Sequence, residues 1–236
     1  MLTEKLFLTF DIDWVHDDAI NRVIDLCITH KVKATFFITH ASRTTARIKN
    51  LPEQFEIGIH PNFLSGSTHG TNEEDVLSHC QDLMPNILSI RTHCLYQHSK
   101  LYNLYNMHYG DSLIDSSVFM PGCTNIEPYR LYTEHGQIVK VPVIWADDYH
   151  CLGKDKQNPI NYVNVSGCKV YCFHPVHIFH NTISMEHYNA IKHNQNTQSF
   201  SEQRGIYNIF LSFLDSITKH QKETGLIKEF LKYDFK

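Results

Sequence analysis

The sequence predicts a single α/β domain over residues 1–236, folded as a (β/α) barrel. Short apolar runs alternate with amphipathic helical patterns, the order that builds a parallel sheet with right-handed crossovers. The strand-like runs number roughly seven, which suits a barrel better than an open sheet. No G-x-G-x-x-G or phosphate loop follows any of them, which argues against a dinucleotide fold.

The first run, Leu6-Phe7-Leu8-Thr9-Phe10-Asp11-Ile12-Asp13, ends in two carboxylates one residue apart. In period-2 geometry they share a face, and functional groups collect just past the carboxyl ends of parallel strands. Such a pair either caps the helix that starts near Asp17 or does chemistry. In the second case one carboxylate binds a metal while the other takes a proton from metal-bound water. Ile20, Val23, Ile24 and Cys27 then keep the spacing of one buried helical stripe. Ala34–Ile38 is the second strand, and Phe55–Ile59 is the third, ending at His60-Pro61.

Thr71-Asn72-Glu73-Glu74 reads as a capping box. It opens a helix with Val76, Leu77, Cys80, Leu83 and Met84, which Pro85 kinks or ends. The fourth strand, 87–90, ends at Arg91-Thr92-His93, and a helix over about 101–109 leads to a weak fifth strand near 112–115. Residues 119–135 have no clear period and are expected to form a long loop or a short hairpin. The sixth strand, 138–144, runs into Trp145-Ala146-Asp147-Asp148, and the seventh, Lys169–Phe173, into His174-Pro175. Ile206, Ile209, Phe210, Phe213, Leu214 and Ile217 define the last strong helix. An amphipathic tail, 226–235, is expected to pack back on the body.

Composition narrows the function classes. The formal charge of −4, without a lysine/arginine block, excludes a nucleic-acid footprint, and no stretch has the length and apolarity of a membrane span. The short acidic N-terminus runs straight into a strand, unlike a signal peptide. Seven cysteines, an odd number lacking any C-x-x-C, read as reduced thiols. Together these place the protein in the cytoplasm. Of 17 histidines, several such as His30, His193 and His220 fall on helix or surface positions. Others stand at strand ends. A lone strand-end histidine is usually structural, but five polar strand ends (Asp11/Asp13, His60, Arg91/His93, Asp147/Asp148 and His174) converging on one rim describe a site.

This set resembles the polysaccharide deacetylase family (carbohydrate esterase family 4, the NodB-homology domain). It is most similar to the cytosolic deacetylase-like proteins of surface-polysaccharide and O-antigen gene clusters. Thr9-Phe10-Asp11-Ile12-Asp13 resembles the first motif, and Glu56-Ile57-Gly58-Ile59-His60-Pro61 the start of the second. Arg91 matches the third, Asp147 or Asp148 with Trp145 the fourth, and Phe173-His174 the fifth, in order across residues 6–180. The resemblance implies a distorted (β/α)7 barrel with Asp11 as general base, His174 as general acid, and Asp13 and His60 as ligands of a divalent metal. Zinc is expected first, with cobalt, nickel or manganese as alternatives. Arg91 would orient an aspartate, and Asp147 or Asp148 would steady His174.

The sequence departs from the family at the second motif: Leu64 stands where H-x-x-x-H needs its second histidine. His69, in the loop Ser65-Gly66-Ser67-Thr68-His69-Gly70, is the expected third ligand, and His93 is its rival. Asn62, Phe63, Trp145 and His177 are the expected substrate contacts. The implied reaction is hydrolysis of an N-acyl group (acetyl or formyl) from a sugar in a nucleotide- or lipid-linked surface-polysaccharide precursor. A metal-dependent amidase acting on a non-sugar amide and a catalytically inactive sugar-binding barrel are the alternatives.

Overall fold

In the computed structural model, which describes residues 2–153, 158–192 and 200–235, β1 (Leu6–Asp11) runs through the middle of the molecule with all six residues buried. Alternation along it separates two layers. Leu6, Leu8 and Phe10 join the helices in the larger core cluster, whereas Phe7 joins a second cluster inside the curl of the sheet. Thr9 and Asp11 share the inner face with Phe7. His193 lies outside the described residues.

The remaining elements follow in βα order. They are α1 (Asp17–Thr29), β2 (Ala34–Ile38), α2 (Arg43–Lys49), β3 (Phe55–Ile59), α3 (Glu73–Leu83), β4 (Ser89–Ile90), α4 (Ser99–Tyr109) and β5 (Ile114–Asp115). Then come β6 (Tyr129–Thr133), β7 (Gly136–Lys140), β8 (Trp145–Ala146), α5 (Asp147–Cys151), β9 (Lys169–Phe173), α6 (Pro175–His180), α7 (Met185–Ile191) and α8 (Ile206–Lys219). One sheet has the order β6-β7-β5-β4-β3-β2-β1-β9-β8. Every pairing is parallel except β6 with β7.

The predicted distorted (β/α)7 barrel is present, and its closure explains why the sixth predicted strand differs from 138–144. A single extended run, 136–146, pairs with β5 at its start as β7 and with β9 at its end as β8. Between them, Val141 N–H bonds Asp115 O (3.0 Å) and Ile144 N–H bonds Val170 O (2.9 Å). One strand position is thus shared by two short ladders, which brings the sheet's edges together and leaves seven parallel positions.

Other boundaries shift for local reasons. The hairpin in 119–135 is real only from Tyr129 onward, as β6. The cap of α3 is Asn72 rather than Thr71: its side chain accepts the Asp75 N–H at 3.0 Å and its Nδ2 donates to Asp75 Oδ2 at 2.8 Å. The carboxylates of β1 do not cap α1, whose N-cap is His16. The short helices α2, α5, α6 and α7 had no usable period in the sequence.

The tail closes the lower mouth of the barrel. Ile227 and Phe230 are fully buried, and the Phe230 ring sits 4.5 Å from that of Phe7. The Ile227 N–H donates to Thr35 Oγ1 (3.1 Å), and the Lys228 N–H donates to Glu56 Oε2 (2.8 Å). Thr35 and Ser89 hydroxyls also bond Glu56, at 2.9 and 2.7 Å, as a buried carboxyl group requires. Glu56, Gly58 and His60 share the inner side of β3. A Cβ at Gly58 would stand 2.6–2.7 Å from Ser89 Oγ and the Phe37 ring. With the bottom sealed, the carboxyl ends of the strands offer the open side.

Candidate active site

At that end lies a cavity of about 420 Å³. Asp11, the last residue of β1, projects into it from the inner face. Arg91, fully buried just beyond β4, spans the barrel interior beneath it. Its Nη1 donates to Asp11 Oδ1 (2.9 Å) and Thr9 Oγ1 (2.7 Å). Its Nε and Nη2 are held by Ser116 O (3.0 Å) and Ser116 Oγ (2.9 Å). The Cys172 thiol donates to the other carboxylate oxygen at 3.4 Å. Burial pushes the Asp11 carboxyl up, but Arg91 first, then His60 and His174, outweigh it and hold it below the usual carboxylate range. Burial, reinforced by Asp11, raises the Cys172 thiol far above its ordinary range and keeps it a donor.

Two residues later the chain turns sharply. Asp13 adopts a left-handed backbone (φ 42°), and the Val15 N–H closes a turn onto Ile12 O at 3.2 Å. The turn aims Asp13 Oδ1 at two imidazoles: His60 Nε2 lies at 3.4 Å and His93 Nδ1 at 3.1 Å. Those two nitrogens are 3.3 Å apart. His60 donates its other nitrogen, Nδ1, to Arg91 O at 2.7 Å, which fixes the tautomer that leaves Nε2 a lone pair. The ladders continue past the strands to hold both rings in place, with His60 N–H on Ile38 O (2.8 Å) and His93 N–H on Pro61 O (2.9 Å). Burial opposes ionisation of Asp13, but the facing His60 and His93 rings outweigh it and hold its carboxyl well below the ordinary range.

The donor set fits a divalent ion. Asp13 Oδ1 is buried and has no conventional hydrogen-bond partner. A tetrahedral ion bonded at about 2.0–2.1 Å keeps its ligand atoms roughly 3.3 Å apart, and the observed triangle has edges of 3.1, 3.3 and 3.4 Å. One carboxylate and two imidazoles facing an open cavity leave positions for water and substrate.

Across the cavity, His174 follows β9. Its Nδ1 pairs with Asp147 Oδ1 at 2.6 Å, and its backbone N–H donates to Asp147 Oδ2 at 2.8 Å. Asp147 is fully buried. Burial alone would lower the imidazole, but the carboxylate in contact outweighs it and raises the ring's pKa well above 6.5. A ring nitrogen of His174, the Cys172 thiol and the Asp11 carboxylate lie within 4.8 Å of one another.

Not every expected residue converges. His69 reaches the flank of the site but not the triangle. Its Nδ1 accepts the Asn62 N–H at 3.2 Å, and its ring stacks on His79 with centroids 4.8 Å apart. Burial, then the neighbouring His79, pushes it down to about 4, so the ring is neutral. Trp145 is fully buried and packs on Phe173 at 4.9 Å, so it has no face for a sugar. Asn62 bonds its own loop, accepting the Leu64 N–H at 3.0 Å, and Phe63 stacks on Tyr96; neither lines the cavity. His177 does line it, with Nδ1 3.2 Å from Thr182 Oγ1 and its ring 5.5 Å from His174. Between the adjacent aspartates, Asp147 holds His174. Asp148 faces the cavity and accepts the Tyr149 N–H at 2.7 Å.

Sequence reasoning passed over Cys172, Tyr149, Met185 and Tyr188, all of which line the cavity. Cys172 was within reach, because it stands two residues before His174 on the same strand face. Tyr188 and Met185 sit on α7, too short to show a period.

Comparison with known proteins identifies the family. A sequence model of WbmS-like polysaccharide deacetylases matches residues 8–192. A crystal structure from Bordetella bronchiseptica, described as a polysaccharide deacetylase involved in O-antigen biosynthesis (WbmS), is 30% identical. It superposes with a TM-score of 0.80 over 91% of each chain. A family 4 acetyl xylan esterase from Clostridium thermocellum, solved with a cobalt ion, is 16% identical with a TM-score of 0.52, covering 97% of this chain and 91% of that one. A 4-α-glucanotransferase from Thermococcus litoralis, 13% identical with a TM-score of 0.56, covers 96% of this chain but 38% of its own. The last two show a shared fold alone. No curated protein matches the sequence.

Proposed function

Because the chain belongs to the WbmS-like family of polysaccharide deacetylases, we propose that it hydrolyses an N-acyl group, acetyl or formyl, from a sugar of a surface-polysaccharide precursor. One observation carries the reading: the Asp13–His60–His93 triangle opens onto the cavity between a carboxylate and an imidazole that are held in complementary protonation states. All seven cysteines are free thiols and no described helix is long and apolar enough to cross a membrane. Both fit action in the cytoplasm on a nucleotide- or lipid-linked sugar.

Asp13, His60 and His93 would hold a divalent metal, with zinc the ion that suits this donor set best. When bound, it supplies Lewis acidity toward the acyl oxygen and makes a water more acidic. Asp11, ionised because Arg91 neutralises its buried charge, accepts the proton of the attacking water. Arg91 and Cys172 occupy its two oxygens from below and the side, which fixes the carboxylate's plane. His174 enters protonated and gives its proton to the leaving amine. Asp147, bonded to both the ring and the backbone of His174, stabilises the cation and keeps the other ring nitrogen toward the substrate.

The reading is tested by incubating zinc-loaded protein with N-acetyl and N-formyl hexosamines, free and nucleotide-linked, and measuring released acetate or formate. Turnover that falls about 10³-fold in Asp11→Asn supports it. Absence of release from every sugar by protein carrying a full equivalent of zinc would sink it. The acid group makes its own prediction. His174 donates only while protonated, so kcat is retained below its raised pKa and lost as pH rises through it. In Asp147→Asn the alkaline limb of the kcat–pH profile is expected to move down toward about 6.5, with kcat lowered about 10²-fold. An unmoved limb would assign the proton to another group.

A further inference from the structure

The turn that aims Asp13 at the two imidazoles also places Trp14. These two are the corner residues of the turn closed by Val15 on Ile12, and the Thr39 hydroxyl pins the Asp13 carbonyl. Trp14 is 41% exposed. A single exposed apolar residue needs no explanation by itself. Trp14 differs because its ring is held on two sides. Its centroid is 5.3 Å from His93, edge to face, and 5.6 Å from His69. His69 is itself 4% exposed and lies flat on His79. The indole is thus propped against the buried His69 imidazole, itself stacked on the exposed His79, immediately beside a side chain that lines the cavity, and still presents surface to solvent.

We propose that Trp14, backed by His69 and His79, is a sugar-stacking platform at the rim of the cleft, taking the apolar C–H face of the pyranose that adjoins the residue being deacylated. The inference rests on the carbohydrate reading of the site above and assigns it a second subsite. An indole offers a large flat surface with little conformational freedom to lose, which suits a ring having one apolar face. Because the platform leans on His93, a sugar seated there would sit within one ring's breadth of the reacting atoms.

Fluorescence tests it directly. The chain has two tryptophans; Trp145 is fully buried, so quencher-accessible emission belongs to Trp14. Titrating N,N′-diacetylchitobiose into zinc-loaded protein should shift this emission and protect it from acrylamide. In Trp14→Ala, KM for the disaccharide should rise about tenfold, with the loss falling on KM and not kcat. Trp14→Phe should recover most of it, and zinc content should be unchanged in both. An unchanged KM in Trp14→Ala overturns the platform while leaving the hydrolase intact. Sugar protection without any turnover supports the platform and counts against the hydrolase alone. Protection by uridine diphosphate equal to that by the disaccharide overturns the sugar assignment, as does absence of protection by the disaccharide at millimolar concentration.

Discussion

His93→Ala protein is expected to lose its metal on dialysis, whereas His69→Ala protein keeps a full equivalent. The two residues are rivals in the sequence, and the geometry separates them. His93 Nδ1 is 3.1 Å from Asp13 Oδ1 and 3.3 Å from His60 Nε2. His69 spends Nδ1 on the Asn62 amide and packs its ring on His79. Loss of an outer partner of a metal ligand already weakens binding about 10–100-fold, so loss of a ligand itself should exceed that. Deacylation by His93→Ala should fall at least about 10³-fold, the factor that several kcal/mol of Lewis-acid stabilisation represents. Elemental analysis beside activity reads both. Retention of zinc by His93→Ala together with its loss from His69→Ala would reverse the assignment and require the loop to close over the site.

Arg91→Leu should produce the largest loss of stability. The guanidinium is fully buried, and all the groups it bonds (Asp11, Thr9, and the carbonyl and hydroxyl of Ser116) are inside the barrel. Removing it strands the buried Asp11 carboxylate without its hydrogen-bonded counter-charge, which typically destabilises by about 3–5 kcal/mol. For a chain of this size that corresponds to a melting temperature lower by about 6–20 °C. The sign of the pH dependence identifies the cause. In the wild type Asp11 has a depressed pKa, so its contribution is present above the unfolded carboxylate pKa and is lost as pH falls through the folded one. In Arg91→Leu, burial is opposed only by His60 and His174 and that pKa rises, so acid relieves the strain and the gap to wild type narrows toward about pH 4. Asp11→Asn placed on Arg91→Leu should recover stability, because a neutral amide needs no counter-charge. A double variant less stable than Arg91→Leu would show that the lost packing, and not the charge, dominates.

The strand ends were legible because each is an abrupt chemical boundary. Phe10 to Asp11, Ile59 to His60, Ile90 to Arg91 and Phe173 to His174 pass from core to ionisable side chain in one step. Order and spacing then suffice for the barrel. Choices between neighbours were not legible, because they depend on turns. Asp147 and Asp148 alternate only if the strand continues, but α5 begins at Asp147 and ends the period. Trp14 and Trp145 both stand within two residues of an aspartate in sequence. Burial of one and exposure of the other follow from a left-handed turn at Asp13 and from a strand position shared by two ladders, neither of which has a local signature. The choice between His69 and His93 was ambiguous for the same reason: His93 comes from the next strand over, and only the lateral register of β3 and β4 brings it beside His60.

Gly58 bears on catalysis from a distance. Directly above the space that a methyl group there would fill is the Phe37 ring, and over that ring, 4.5 Å from its centre, lies the Arg91 guanidinium. The missing methyl acts as a shim of zero thickness: it sets the elevation of the whole stack and so the height at which the cation meets the Asp11 carboxylate. Gly58→Ala would displace Ser89, and through it the Glu56 network at the barrel's lower mouth, as well as Phe37 and the cation above it. The two ends of the barrel are mechanically levelled against each other through one hydrogen atom.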